Sequence, residues 1–451
     1  MMTLRRWRTT TRDYDKGEGT KMTITRRKFL TNGMAGVGTV GLASWSLPAF
    51  AQGEIMPKSG PRVVVIGGGW GGATAAKYIR LQDPSIEVVM IEREPVFRSC
   101  PISNWVIGGL KEMGDITVSY SALKTKHGIK VVHDTVTGID PGRQMVRVAD
   151  GMISYDRLIV SPGITLLNDE IDGLDAVGRA VFPAAWSAGA ETQQLREELA
   201  AMPAGGTVVL SVPFGPYRCP PGPYERTSLI ADYLKKNKPG SKLIVLDSNE
   251  KIISKGKLFK AAWDAYYEGI IDYRTDNAVI KVDASTRTIS TDFDDIRADV
   301  GNIIPNQRAS DTVDLAHLRP DGRRWCPVNP WTYQSTIHPE IHVVGDATDA
   351  TTVGKVPKSG FIANSMAKVC AAATVALING EEPARPSMAN TCYSLVSGTE
   401  GISVTAVYDW DDASGKMAAI KGAKGLSPGR FEIVAANADD WARAIWSDML
   451  G

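Results

Sequence analysis

Cysteine is the residue type in this sequence best suited to redox and nucleophilic work, and there are five: Cys100, Cys219, Cys326, Cys370 and Cys392. No two stand as Cys-x-x-Cys, which removes a zinc ribbon, and no Cys-x-x-Cys-His is present to attach c-type haem. Cys100 lies in Phe97-Arg98-Ser99-Cys100-Pro101-Ile102-Ser103-Asn104, Cys219 in Arg218-Cys219-Pro220-Pro221-Gly222-Pro223-Tyr224-Glu225-Arg226, and Cys392 in Asn390-Thr391-Cys392-Tyr393-Ser394. Two cysteines so far apart in an oxidising compartment ordinarily make an inert staple worth ~2–5 kcal/mol. Beside a redox cofactor the same pair is a two-electron couple open to sulfur nucleophiles. Cys370, in an Ala/Val-rich helical stretch, is expected to be a small buried hydrophobe, and Cys326 is assigned no function.

What could place such a cofactor begins at Val63. The β-branched run Val63–Ile66 leads into Gly67-Gly68-Gly69-Trp70-Gly71-Gly72, then a helix-like Ala73–Leu81, then a second strand Ile86–Ile91 ending at Glu92. This is the strand, Gly-x-Gly-x-x-Gly, helix, strand, acid order of a dinucleotide site. Gly67 is expected to permit the tight turn, Gly69 to admit pyrophosphate, and Gly72 to let helix pack on strand. The helix N-terminus offers N–H donors to the phosphates, and Glu92 can accept both hydroxyls of an adenosine ribose.

Two later landmarks choose between dinucleotides. Tyr155–Gly163 reads as a strand running into a tight turn at Gly163, and Ile341–Ala347 as a strand ending in Gly345-Asp346. With the Gly-rich turn, these resemble the landmarks of flavoproteins with two dinucleotide-binding domains. That resemblance implies FAD, with Asp346 on the ribityl hydroxyls. It also implies that Lys358 and Gly360, in Val356-Pro357-Lys358-Ser359-Gly360, open a helix aimed at the flavin pyrimidine edge.

The second unit of that class, usually the NAD(P)H site, is altered. Strands at Gly206–Val212 and Ser241–Leu246, the latter followed by Asp247, flank a turn of prolines and bulky residues, Pro213 to Arg226. Prolines lack N–H donors and bulky side chains block a pyrophosphate, so the scaffold is expected without its nicotinamide site. Cys219 then stands where a nicotinamide would meet the flavin.

Across residues 60–410 the chain is similar to the flavoprotein subunit of flavocytochrome c sulfide dehydrogenase. The motifs are the Gly-rich turn, Cys-x-x-Ser-Asn-x-Val-Ile-Gly-Gly, Arg-Cys-Pro-Pro-Gly-Pro-Tyr-Glu-Arg, Pro-Lys-Ser-Gly and Asn-Thr-Cys-Tyr-Ser. The resemblance implies FAD tethered through its 8α-methyl to Cys100, and a redox disulfide between Cys219 and Cys392. It assigns Glu225 as the nearby acid/base and a c-type cytochrome as electron acceptor. Sulfide:quinone oxidoreductase shares the cysteine pair and is the alternative. A sulfur carrier or assembly partner with structural FAD is a third reading. Residues after about Val407 match weakly; Asp439–Leu450 is amphipathic, short and acidic, suiting domain packing or a partner rather than a membrane surface.

Composition frames these readings. The 451 residues have 43% hydrophobic and 22% charged side chains, an ordinary globular balance. Residues 1–51 carry Thr-Arg-Arg-Lys-Phe-Leu, a Gly-rich apolar stretch and Pro48-Ala49-Phe50-Ala51, the pattern of a twin-arginine signal peptide. The predicted location is therefore periplasmic, with no integral membrane span after processing. Removing nine basic and three acidic residues turns the net charge of +1 into about −5, which gives no electrostatic case for nucleic acid. The predicted fold class is α/β: two Rossmann-like dinucleotide-binding domains (glutathione-reductase-like) plus a small C-terminal cap domain. The FAD domain is expected at 59–172 and 304–382, the degenerate NAD-type domain at 173–303, and the cap at 383–451. No metal site is expected.

Overall fold

In the computed structural model, residues 54–451 are described; the signal-peptide reading of residues 1–51 lies outside them. The strand Arg62–Ile66 is buried along its whole length, as expected of a β-branched run covered on both faces of a parallel sheet. It is the centre of a five-stranded parallel sheet ordered Ile341–Val343, Arg157–Val160, Arg62–Ile66, Glu87–Ile91, Lys130–Val132. The chain builds one side of the sheet and then crosses to the other. That reversal, between Arg62–Ile66 and Arg157–Val160, leaves a crevice beyond the strand ends.

Two helices cover one face and hold the crevice in shape. Helix Trp70–Gln82 follows the Gly-rich turn and packs along helix Gly360–Asn379, where Asn364 Nδ2 donates to Thr74 Oγ1 at 2.9 Å. Helix Trp70–Gln82 begins earlier than the expected Ala73, because its first turn, Trp70-Gly71-Gly72, carries no apolar repeat. Helix Gly360–Asn379 is long and apolar enough to cross a membrane by length and composition, yet most of it is buried against the protein. Ser359 caps it, accepting from Ile362 N at 3.1 Å.

The second parallel sheet runs Ile271–Arg274, Lys242–Asp247, Thr207–Val212, Val300–Asn302, with helix Gly222–Asn237 behind it. It is inserted between strands Arg157–Val160 and Ile341–Val343 of the first. The outgoing and returning chains pair as a short antiparallel ribbon, Ile164–Leu166 with Gln307–Ala309, which fixes one sheet against the other.

Strands Ser387–Leu395, Gly401–Asp411 and Lys416–Leu426 then form an antiparallel sheet, followed by helix Glu432–Leu450. That helix buries Ala438, Ala442, Ile445, Trp446, Met449 and Leu450, a stripe at helical spacing. Trp441 stacks on Trp70 with ring centroids 5.7 Å apart, and Asp448 accepts from Tyr78 Oη at 2.6 Å and Asn364 Nδ2 at 3.0 Å. The acidic tail helix thus clasps the first dinucleotide unit, and all described residues belong to one compact unit. The architecture is the mixed α/β fold of two dinucleotide-binding units with an added cap.

Candidate functional site

Gly67 has φ +96°, and a Cβ there would sit 2.4 Å from Ser161 O, so only glycine makes this turn. At Gly72 a Cβ would lie 1.8 Å from Gly67 O, which keeps helix and turn in contact. Gly69 differs: a Cβ there would meet nothing within 4 Å, because the position faces a cleft. The three glycines therefore divide into two that pack and one that leaves room. Glu92 reaches back to the same turn, accepting from Gly68 N at 2.6 Å and Glu94 N at 2.8 Å.

The cleft has a volume of about 1020 Å³, at the upper end of ligand pockets. Its walls bring together Gly67, Gly69, Glu92, Cys100, Gly163, Cys219, Glu225, Asp346 and Gly360, from segments up to 293 residues apart. Gly72 lies behind the turn. Lys358 faces a small adjoining cavity, where its ammonium donates to Asp346 O at 2.8 Å and Thr348 O at 2.6 Å. It also lies 3.7 Å over the Trp325 ring, and burial lowers its pKa to about 8. Lys358 thus braces the Gly345-Asp346 turn.

Whether the walls suit FAD is decided at Asp346. Its Oδ1 is buried on the cleft wall with no hydrogen-bond partner, and burial raises the carboxyl's pKa. A buried orphan acceptor is costly unless a donor arrives, and a polyol chain supplies hydroxyls there. With the open positions at Gly69 and Gly163 (φ +72°, nothing within 4 Å of a Cβ), the walls fit an extended dinucleotide.

At the other end of the cleft the proline-rich turn replaces a nucleotide site. Cys219 takes a left-handed conformation, φ +58°, and its N–H donates to Lys358 O at 2.7 Å, tying this turn to the Pro-Lys-Ser-Gly segment. Asp247, at the end of strand Lys242–Asp247, is completely buried and plugged by the chain itself. It accepts from Tyr224 Oη at 2.9 Å, Tyr273 Oη at 2.7 Å and both Asn249 donors. The acid that would hold a ribose is thus consumed internally.

Cys219, Cys326 and Cys370 are each pushed up to about 12 by burial. For Cys219, neighbouring Cys392 and Glu225 push the same way, while Lys255 and Arg218 oppose them. Cys326 and Cys370 are fully enclosed and lie in the hydrophobic core. Cys392, on the cap strand Ser387–Leu395, donates its S–H to Asn390 Oδ1 at 3.4 Å; Asn390 Oδ1 also accepts from Ser359 Oγ at 2.7 Å. Cys219 and Cys392 are thiols in this structure, as is Cys100.

Glu225, 7% exposed, accepts three hydrogen bonds: Asn104 Nδ2 at 2.9 Å, Trp105 Nε1 at 3.2 Å and Leu395 N at 2.9 Å. The first two come from the segment after Cys100, and the third from the strand carrying Cys392. Glu225 therefore joins all three cysteine-bearing segments. Neither Arg218 nor Arg226, its charged neighbours in sequence, is among its hydrogen-bond donors. Arg226 instead donates to Asn104 Oδ1, Asn302 Oδ1 and the carbonyls of Ala184 and Ala185, and its burial lowers it to about 9. Asn104 and Lys255 are site residues that sequence reasoning did not single out. Asn104 stood in a quoted motif, which was the available signal.

Comparison with known proteins agrees with this geometry. Residues 192–305 match the family model for the central part of the sulfide dehydrogenase (flavocytochrome c) flavoprotein chain. Residues 384–450 match that for the flavin-binding part of flavocytochrome c sulphide dehydrogenase, and 61–201 that for pyridine nucleotide-disulphide oxidoreductases. The sulfide dehydrogenase (flavocytochrome c) flavoprotein chain of Chlorobaculum thiosulfatiphilum is 58% identical over 45 residues, 10% of this chain and 94% of that sequence. The sulfide-quinone reductase of Aquifex aeolicus (strain VF5) is 32% identical over 89 residues, 20% of this chain and 21% of that one. Among solved structures, the sulfide:quinone oxidoreductase of Aquifex aeolicus superposes with a TM-score of 0.72 at 20% identity, covering 86% of this chain and 91% of that one. A NAD-dependent persulfide reductase from A. fulgidus gives 0.61 at 18% identity, covering 86% and 77%. The chain belongs to the flavoprotein-chain family of flavocytochrome c sulfide dehydrogenase, a family of FAD-binding, sulfide-oxidising oxidoreductases.

Proposed function

We propose that the mature protein is a periplasmic sulfide dehydrogenase, exported by the twin-arginine route, that oxidises sulfide through a Cys219–Cys392 disulfide and passes electrons from FAD to a c-type cytochrome. The observation that carries this reading is that Cys219 stands on the wall of the same cleft as the Gly-rich turn and Asp346. In this reading the Gly67–Gly72 turn and helix N-terminus hold the pyrophosphate, Glu92 the adenosine ribose and Asp346 the ribityl chain. Cys100, half-buried on the cleft wall, is the tether to the 8α position. FAD, when bound, supplies a two-electron acceptor.

Hydrosulfide attacks one sulfur of the disulfide; a new S–S bond forms as the old one breaks, leaving a persulfide on one cysteine and a thiolate on the other. The substrate sulfur loses two electrons to the pair, so atoms and charge balance. Glu225 keeps the three cysteine segments in register through Asn104, Trp105 and Leu395 N. The covalent tether prevents loss of cofactor after export. The relative from Chlorobaculum thiosulfatiphilum, a flavocytochrome c flavoprotein chain, supports a haem protein rather than a quinone as acceptor.

The test is anaerobic addition of micromolar sulfide to the FAD-loaded protein, with and without cytochrome c. Bleaching of the flavin band, and its return with cytochrome reduction, is expected. No bleaching overturns the sulfide reading, and return with a quinone alone replaces the acceptor. Flavin fluorescence on a denaturing gel tests the tether: it is expected in the wild-type band and absent from Cys100→Ala, and its persistence there removes Cys100 as attachment point.

A further inference from the structure

Lys255 is a buried cation whose charge reaches both cysteines of the pair, and no part of the mechanism above uses it. It is 5% exposed and sits in a left-handed conformation, φ +56°, immediately before helix Gly256–Tyr266 of the second dinucleotide unit. Its ammonium crosses to the cap strand, donating to Ser394 Oγ at 2.8 Å and to Cys392 O at 3.3 Å. Both acceptors are neutral, so two of its three protons are anchored while its charge is left for its surroundings. The groups that feel that charge are Cys392, Glu225 and Cys219.

We propose that Lys255 is a positioning residue that stabilises the thiolate released when the Cys219–Cys392 disulfide opens. The proposal rests on the disulfide reading above. A thiolate leaving into a buried site meets a large desolvation penalty, and a fixed ammonium is the physical remedy. Glu225 faces the pair and disfavours added negative charge, while Arg218, Arg226 and Lys255 favour it; Tyr217 near Cys219 and Tyr408 near Cys392 remain neutral phenols. Lys255 is anchored on the strand that carries Cys392, so its charge travels with that sulfur. When hydrosulfide attacks Cys219, the S–S bond breaks, Cys219 becomes the persulfide and Cys392 leaves as the thiolate beside the ammonium. No proton or electron beyond those of hydrosulfide and the disulfide is required.

The experiment measures the pH dependence of alkylation of the reduced Cys219 and Cys392 thiols by iodoacetamide, read site by site by mass spectrometry in FAD-loaded protein. Lys255→Met and Lys255→Gln, two neutral variants that differ in their ability to bond Ser394, are compared with Lys255→Arg and wild type. Both neutral variants are expected to raise the midpoint for Cys392 by at least one unit, slowing alkylation at a fixed neutral pH about tenfold, while Lys255→Arg restores the wild-type profile. An unshifted midpoint in either folded neutral variant, even with a lowered Tm, assigns Lys255 a purely structural role and overturns the proposal. The disulfide reading fails separately: oxidised wild type would then show no Cys219–Cys392 linked peptide, whatever the alkylation profile of the reduced thiols.

Discussion

The two glycine-bearing turns of this molecule start from the same plan and end as different devices. In the first, Gly67 and Gly72 pack, Gly69 leaves room, and the acid at the end of the next strand faces the cleft. At Pro213–Arg226 the glycines are largely replaced, the corresponding acid Asp247 is satisfied by Tyr224, Tyr273 and Asn249, and a cysteine stands at the cleft wall. One turn keeps its backbone open for a ligand; the other fills its nucleotide pocket with side chains and presents sulfur instead. A dinucleotide unit can thus lose its ligand and retain its place, because the parallel sheet and the ribbon at Ile164–Leu166 fix the turn regardless of what it binds.

Removing the sulfur from the second turn should have the largest effect. Cys219→Ala, and equally Cys392→Ala, are expected to lower the rate of flavin reduction by sulfide at least on the order of a hundredfold, with bound FAD unchanged, by stopped-flow absorbance. A full rate in Cys219→Ala would make the second turn a mere relic.

The first turn can be broken in two distinguishable ways. Gly72→Ala places a methyl 1.8 Å from Gly67 O, so the protein should lose both FAD and thermal stability. Gly69→Ala meets no protein atom within 4 Å, so the Tm of the cofactor-free protein should hold while its FAD affinity falls. Absorbance per protein and calorimetry read the two effects, and equal stability losses would erase the distinction between packing and ligand glycines.

For the second turn, Asp247→Asn should cost about 1–3 kcal/mol of stability by breaking a buried network, with sulfide-driven reduction retained. Loss of activity with stability intact would mean that this acid still serves a ligand.

A pH-dependent effect concerns His342, in the strand Ile341–Val343 that leads to Asp346. Burial lowers its pKa from 6.5 to about 4, so the unfolded chain binds the extra proton first as pH falls. The stability lost to that proton, about 3 kcal/mol in full, is nil well above pH 6.5 and grows as pH drops toward 4. Denaturant titrations at pH 7 and pH 5 should show a fall in wild type that is shallower in His342→Gln, and parallel falls would exclude this group.

The first turn was legible in the sequence because its function is local: Gly67, Gly69, Gly72 and Glu92 do their work within one strand–turn–helix–strand. The altered chemistry of the second turn was legible for the same reason, since its prolines lack N–H donors. What holds Glu225 was not legible, because its donors are 121 and 170 residues away and only the tertiary fold selects Asn104 and Leu395 N over the adjacent arginines. Lys255 was hidden likewise, its partners lying on a cap strand more than 130 residues on. The tail helix showed its apolar stripe in sequence, but periodicity names a face without naming its partner, here Trp70 and its helix.

The contrast between the turns is tested most directly by anaerobic titration of the protein's flavin with sulfide and, separately, with NADH. The account predicts full bleaching by micromolar sulfide and none by NADH. Bleaching by NADH, with no response to sulfide, would contradict it.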